Sequence, residues 1–198
     1  MQKLVIAIDC DDVLVPSTET IVDLYNKRFG TNVTYARAHQ SGNEEWGASR
    51  DETERRIHEV QLSDEYAEII PFPEAVSSVR QLAEAGHELH MVTARDSKLL
   101  RVTETMLEKY FDDGVLTTLE HVGFGGTKGD ICKKLGADVL IDDNLKHLEY
   151  AAGCGVGLLL WFGRYPWQGD TGTTTVGIKR CGDWREVTEE IQHYESRR

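Results

Sequence analysis

The chain has 198 residues, 40% of them hydrophobic and 28% charged, with a formal net charge of -12. That length suits one core with a small insert, and the acidity argues against gripping a nucleic-acid polymer or an anionic membrane surface. Cys10, Cys132, Cys154 and Cys181 form no CxxC pair and no zinc spacing, so reduced thiols in a cytoplasmic protein are expected. The apolar part of MQKLVIAID is too short for a signal peptide, and the run at residues 156–162 is far too short for a membrane span.

Residues 4–8 are apolar throughout, as in a strand covered on both faces. The strand ends abruptly in Asp9, Asp11 and Asp12, with Cys10 between the first two. Two unit charges ~4 Å apart interact by about 4 kcal/mol at an effective dielectric near 20. A divalent cation would compensate such crowding; the plainer reading is an acidic strand end with no ligand. A helix follows over residues 18–29, with Ile21, Leu24, Tyr25 and Phe29 as its stripe and Gly30 as its stop. Residues 31–56 are polar and weakly patterned, with Trp46 alone among them. Further helical pieces cover residues 51–62 and 66–70 before Pro71-Phe72-Pro73 breaks the chain.

The pattern then becomes regular. Helices are expected over residues 74–85, 97–110, 128–135, 145–152 and 183–194, and strands over 89–93, 120–124, 139–141 and 156–160. Asp183 and Glu186 resemble a capping box for the last helix. This alternation describes an α/β fold: a Rossmann-like parallel sheet with helices on both faces. Residues 1–15 and 75–198 would form the core, and residues 16–74 a small helical cap inserted after the first strand. An ordinary crossover with a long loop is the alternative; the doubled helices and the Pro-Phe-Pro return favour the cap.

Four segments end a strand or open a helix with chemistry attached. Asp9 and Asp11 supply carboxylates that could attack phosphorus and protonate a leaving oxygen. Thr93-Ala94-Arg95 offers a hydroxyl and a cationic fork suited to phosphate oxygens, although a turn threonine and a surface arginine would look the same. Gly125-Gly126-Thr127-Lys128 is a glycine-rich turn into a helix without P-loop spacing. A lysine there opposes the helix dipole, which favours a functional reason over a solvated side chain. Val139-Leu140-Ile141-Asp142-Asp143-Asn144 again ends a buried strand in two acids, of which a helix cap explains one.

In this order and spacing the four segments resemble the haloacid dehalogenase superfamily of phosphohydrolases over nearly the whole chain. Asp9 to Leu14 match its first motif, Thr93 the second, Lys128 the third and Asp142-Asp143 the fourth. The resemblance implies an HAD-like fold and an aspartyl-phosphate mechanism, with Asp9 as nucleophile and Asp11 as acid and then base. It implies Mg²⁺ held by the Asp9 carboxylate, the Asp11 backbone carbonyl and Asp143, with Asp142 nearby. Thr93, Ala94, Arg95 and Lys128 would hold the phosphoryl group. An acid at position 11 is what phosphatases of the superfamily carry and dehalogenases lack.

The small cap after the first strand, PFPEAV, VTAR, LIDDN and the tail GRYPWQ with DWREV are similar to the 5′(3′)-deoxyribonucleotidase branch. That implies a small phosphorylated metabolite as partner, a nucleoside monophosphate first, with its base held by aromatic cap residues. A homodimer is compatible with this reading. Candidates for the base are Phe29, Tyr35, Trp46 and Tyr66; Phe29 lies on an apolar stripe and suits the cap's own core, while Trp46, in a polar loop, is the best pocket residue. The alternatives are a sugar-phosphate phosphatase and a catalytically silent binding protein on the same fold.

Overall fold

A computed structural model describes residues 3–39, 45–122, 126–169 and 177–198. Its centre is a six-stranded parallel sheet of β1 (Val5–Ile8), β2 (Glu88–Thr93), β3 (Thr118–His121), β4 (Val139–Asp142), β5 (Leu158–Phe162) and β6 (Ile178–Cys181). The strands lie in the order β3-β2-β1-β4-β5-β6. Between them run α4 (Pro73–Glu84), α5 (Leu100–Tyr110), α6 (Lys128–Leu135) and α7 (Leu145–Gly153), and α8 (Trp184–Glu195) ends the chain.

The strands are apolar on both sides because both sides are covered. Ile6 and Ile8 of β1, Ile141 of β4 and Leu160 of β5 share one cluster with Val79 of α4, Met106 of α5 and Val187 of α8. The alternate residues Ala7, Leu140 and Leu159 join Cys132 of α6 and Leu148 of α7. This is the period of two that a strand imposes. Such a sheet changes winding direction where β1 lies beside β4, and the crevice for a ligand opens there, at the carboxyl ends of those two strands.

The segment between β1 and α4 holds α1 (Ser17–Phe29), α2 (Arg50–Gln61) and the single turn α3 (Asp64–Ala67). It has a small core of its own, in which Val22 and Tyr25 of α1, Val33, Trp46 and Val60 of α2 pack together. Tyr66 and Ile69 instead join the main core, so α3 anchors the segment to the sheet.

The expected elements are present with boundaries moved by a few residues. The third strand sits earlier than expected, at Thr118–His121, and Phe124, where it was expected to end, lies outside the described residues. The fifth is displaced two residues, to Leu158–Phe162. β6 carries no apolar signal in the sequence: it is a four-residue edge strand whose middle residues, Lys179 and Arg180, are not buried. Charged edge strands resist pairing with other chains, at the expense of a readable pattern.

Candidate active site

The loop leaving β1 is built by its own backbone. The Leu14 and Val15 N–H groups both donate to the Cys10 carbonyl, and the Asp12 N–H donates to the Val15 carbonyl. Asp12 completes the turn at φ 56°, a left-handed conformation that a non-glycine residue adopts at a cost and that aspartate tolerates through local hydrogen bonds. Its carboxylate takes the Thr18 N–H at 3.0 Å and the Thr18 hydroxyl, and so caps the start of α1. Three distant groups hold the loop from outside. Trp184 Nε1 donates to the Val13 carbonyl, Tyr165 Oη to the Asp12 carbonyl, and the Phe72 N–H to the Leu14 carbonyl.

This fixed turn sets the Asp9 carboxylate beside the end of β4, where the Asp9 N–H donates to the Ile141 carbonyl. One oxygen of Asp9 accepts from the Cys10 N–H at 2.7 Å. Lys128, the first residue of α6, lies 2.6 Å from Asp9 and 2.7 Å from Asp142. Its side chain is buried, which a lysine tolerates only when paired. Thr127 caps that helix by accepting from the Asp130 N–H. Asp142 also accepts from the Asn144 N–H at 2.8 Å and lies 3.2 Å from His147 Nδ1.

Oxygens of Asp9, Asp142 and Asp143 lie within 4.8 Å of one another. Three carboxylates face one ammonium there, a surplus of two negative charges. The strain appears in their protonation. Burial, only partly offset by Lys128, and repulsion from Asp142 and Asp11 push Asp9 up to about 7. Burial with Asp9 and Asp142 as neighbours pushes Asp143 up to about 9. Asp142 stays below the usual carboxylate range: burial opposes its charge, but Lys128 and His147 outweigh it. A small divalent cation fits this set in donor type and in charge, since carboxylate oxygens are its preferred ligands.

Asp11 has a different set of partners. Arg95 Nε donates to both its oxygens at 3.0 Å and Nη2 to Oδ1 at 2.8 Å, and the Ser17 hydroxyl donates to Oδ1. Burial would raise Asp11, but the guanidinium beside it and these hydrogen bonds hold it below its ordinary value. The guanidinium expected from the sequence as a phosphate-binding fork is here turned onto Asp11, while Arg95 still lines the cavity beside Lys128. Its side chain is 1% exposed, and its donors are spent on Asp11, Thr103, Tyr66 and Ser17. Thr93 is buried and accepts the Arg95 N–H at 3.1 Å. Exposed Ala94 lines a cavity of about 700 Å³ with Lys128, Asn144 and His147. Burial pushes the Cys10 thiol far above its ordinary value, which removes it as a nucleophile.

Trp46, expected in a pocket, packs into the small core of its own segment. It is 7% exposed and meets Tyr25 edge to face at 4.8 Å, while its carbonyl accepts from the Tyr25 hydroxyl. A tryptophan isolated among polar residues found its apolar partners in α1 and α2, which sequence spacing did not reveal. Phe29 joins the same core, as its stripe indicated. Tyr66 is fully buried, with its hydroxyl on Arg95. Tyr35 alone of the four lies among the aromatics of the tail, 4.9 Å from Trp167 and 6.4 Å from Tyr165 by ring centroids. Tyr165 and Trp167 are stacked at 4.6 Å. Tyr165 of this cluster holds the Asp12 carbonyl, and its neighbours Gln168 and Trp161 hold that of Asp143, beside the acidic group. Ser17 and His147 went unread as site residues because a lone serine or histidine carries no positional signal, and Tyr66, read as a base contact, instead holds Arg95 and Ser17.

The model of the family described as 5′ nucleotidase, deoxy (pyrimidine), cytosolic type C protein matches residues 3–195. Among solved structures, a haloacid dehalogenase-like hydrolase from Streptococcus pneumoniae superposes with a TM-score of 0.70 at 14% identity, covering 96% of this chain and 98% of that one. An HAD family hydrolase from Deinococcus radiodurans, holding phosphate and sodium, gives 0.69 at 15% identity, with 96% of each chain covered. An HAD hydrolase from Entamoeba histolytica gives 0.60 at 16% identity over 94% and 96%. At these identities the likeness is one of fold. No curated protein matches the sequence. The family match spans nearly the whole chain: on a fold shared with HAD hydrolases, the chain belongs to the cytosolic type C 5′ nucleotidase family and is a phosphoric monoester hydrolase.

Proposed function

We propose that the protein is a Mg²⁺-dependent phosphomonoesterase that works through an aspartyl-phosphate on Asp9, with nucleoside monophosphates as substrates. The observation that carries this reading is the Asp9–Lys128–Asp142 chain of contacts beside Asp143, at the crevice between β1 and β4. Asp9, Asp143 and the backbone carbonyl of Asp11 would hold the cation, with Asp142 steadying Lys128. Bound there, Mg²⁺ would supply positive charge to offset these carboxylates and the phosphate.

The remaining work falls to the chain. Lys128 orients Asp9 and adds positive charge where negative charge gathers on the transferring phosphoryl group. A carboxylate oxygen of Asp9 bonds to phosphorus as the ester oxygen leaves, and Asp11, ionised at rest beside Arg95, takes the proton of the substrate's phosphate monoanion and hands it to that oxygen. Asp11 then takes a proton from water as the water attacks the phosphoryl group, releasing phosphate and restoring Asp9. The helices α1–α3, after the first strand, form a cap that selects the leaving group. The aromatic cluster of Tyr35, Tyr165 and Trp167 supports a planar base as part of that group, and so does the family's description.

The test is phosphate release with Mg²⁺ from ribo- and deoxyribonucleoside monophosphates, sugar phosphates and an aryl phosphate. Preference for one nucleotide group is the expected result. Turnover of sugar phosphates alone would overturn the substrate, and silence on every ester would overturn the reaction in favour of a binding role.

A further inference from the structure

No step proposed above uses Arg95, yet among the described residues it is the most heavily hydrogen-bonded buried cation. Burying a guanidinium is costly unless its charge is paired and its donors are satisfied. Here the pairing partner is Asp11, the residue assigned above as acid and base. The other donors reach three different elements. Nη1 donates to Thr103 of α5 at 3.0 Å, and Nη2 donates to Tyr66 of α3 at 3.1 Å and to Ser17, the first residue of α1, at 3.4 Å. The Tyr66 hydroxyl donates onward to Ser17 at 3.2 Å, and Ser17 donates to Asp11. Asp11, Arg95, Tyr66 and Ser17 thus form a closed ring of hydrogen bonds. Two of its members belong to the helical segment after the first strand, and two to the sheet edge.

The ring has a chemical consequence. A carboxylate gripped by a guanidinium at both oxygens is fixed in direction, and a general acid must lie within hydrogen-bond reach of the oxygen that it protonates. The fixed turn after β1 sets where the Asp11 backbone lies, and the ring sets where its carboxylate points. Displacement of α3 or of the start of α1 would break two sides of the ring at once.

We propose that Arg95 and Tyr66 are positioning residues that tie the aim of the Asp11 carboxylate to the seating of α1 and α3 on the sheet. This rests on the reading of Asp11 as the acid. It assigns specific work to an arginine that the motif pattern had offered as a phosphate ligand, and it makes the helical segment part of the acid's support as well as a cover over the site.

The experiment compares Arg95→Lys and Tyr66→Phe with wild type on benzyl phosphate and nitrophenyl phosphate, with Mg²⁺. The two esters are of similar size but differ in leaving oxygen: the benzyl alkoxide needs a proton as it departs, whereas nitrophenolate leaves without one. The quantity read is kcat/KM, which reports the step that transfers phosphoryl to Asp9 and not the later hydrolysis. An aimless acid lowers kcat/KM for benzyl phosphate about tenfold more than for nitrophenyl phosphate in Arg95→Lys, and in the same direction by a smaller factor in Tyr66→Phe. Misfolding cannot imitate this, because a smaller folded fraction lowers both esters by the same factor. Parallel losses, no loss, or a ratio that moves the other way would overturn the inference alone. A wild-type enzyme silent on both esters would overturn the proposed reaction and this inference with it.

Discussion

Lys128 Nζ lies 2.6 Å from Asp9 Oδ1, joining the first residue of α6 to the residue that follows β1. The contact crosses 119 positions of sequence only because β1 and β4 are neighbours and α6 leads into β4. One ammonium serves two carboxylates there, so its removal leaves like charges facing each other without relief. Lys128→Met is expected to lower kcat by about 10²–10³, the loss seen when one preorganised charge or donor is deleted. Steady-state kinetics on the best ester checks this, and a loss below about threefold would remove Lys128 from the phosphoryl site.

Asp9→Asn keeps the volume of the side chain and deletes the attacking oxygen's charge. Turnover is expected to disappear while the melting temperature holds or rises, because a repelling charge has left a crowded site. Residual phosphatase activity in the purified variant would end the assignment of Asp9 as nucleophile.

The raised carboxylates give the metal-free protein a distinctive pH dependence. Asp9 at about 7 and Asp143 at about 9 keep protons that the unfolded chain releases near 4. Between these limits the folded state binds more protons than the unfolded one, so stability from these two groups is complete below pH 4 and is lost as pH rises through 7 and 9. Melting of EDTA-treated protein should therefore show a fall across the neutral to alkaline range. Mg²⁺ should raise the melting temperature more at pH 8 than at pH 5, because it binds the ionised set. An equal metal effect at both values would contradict the charge surplus at this centre.

Trp46→Ala distinguishes packing from recognition. A tryptophan buried against Tyr25 is expected to cost about 3–5 kcal/mol of stability on truncation, and Trp46→Phe much less. Neither should alter the ranking of substrates in the folded enzyme. A Trp46→Phe variant of normal stability with a selectively raised KM for nucleotides would return Trp46 to the pocket.

Much of this protein could be read without coordinates, and the reason is periodicity. Strands buried on both faces must be apolar at every position, so residues 4–8 and 139–141 stood out, and the acids that follow them could only lie at the strands' carboxyl ends. A parallel sheet places such ends along one edge, which is why four separated motifs pointed to a single centre. Edge elements escaped: β6 pairs on one side only and carries Lys179 and Arg180 where a core strand carries aliphatic residues.

Tertiary structure alone decided the direction of each polar side chain. The segment Thr93-Ala94-Arg95 suits phosphate equally well whether Arg95 turns into the site or behind it, and the choice was made by Asp11, Tyr66, Thr103 and Ser17, which come from four other parts of the chain. The same holds for Trp46, whose partners arrive from α1 and α2. Local sequence determines which groups a strand delivers to its end, because backbone geometry is local; what those groups then touch depends on packing between distant elements, and no spacing along the chain encodes it.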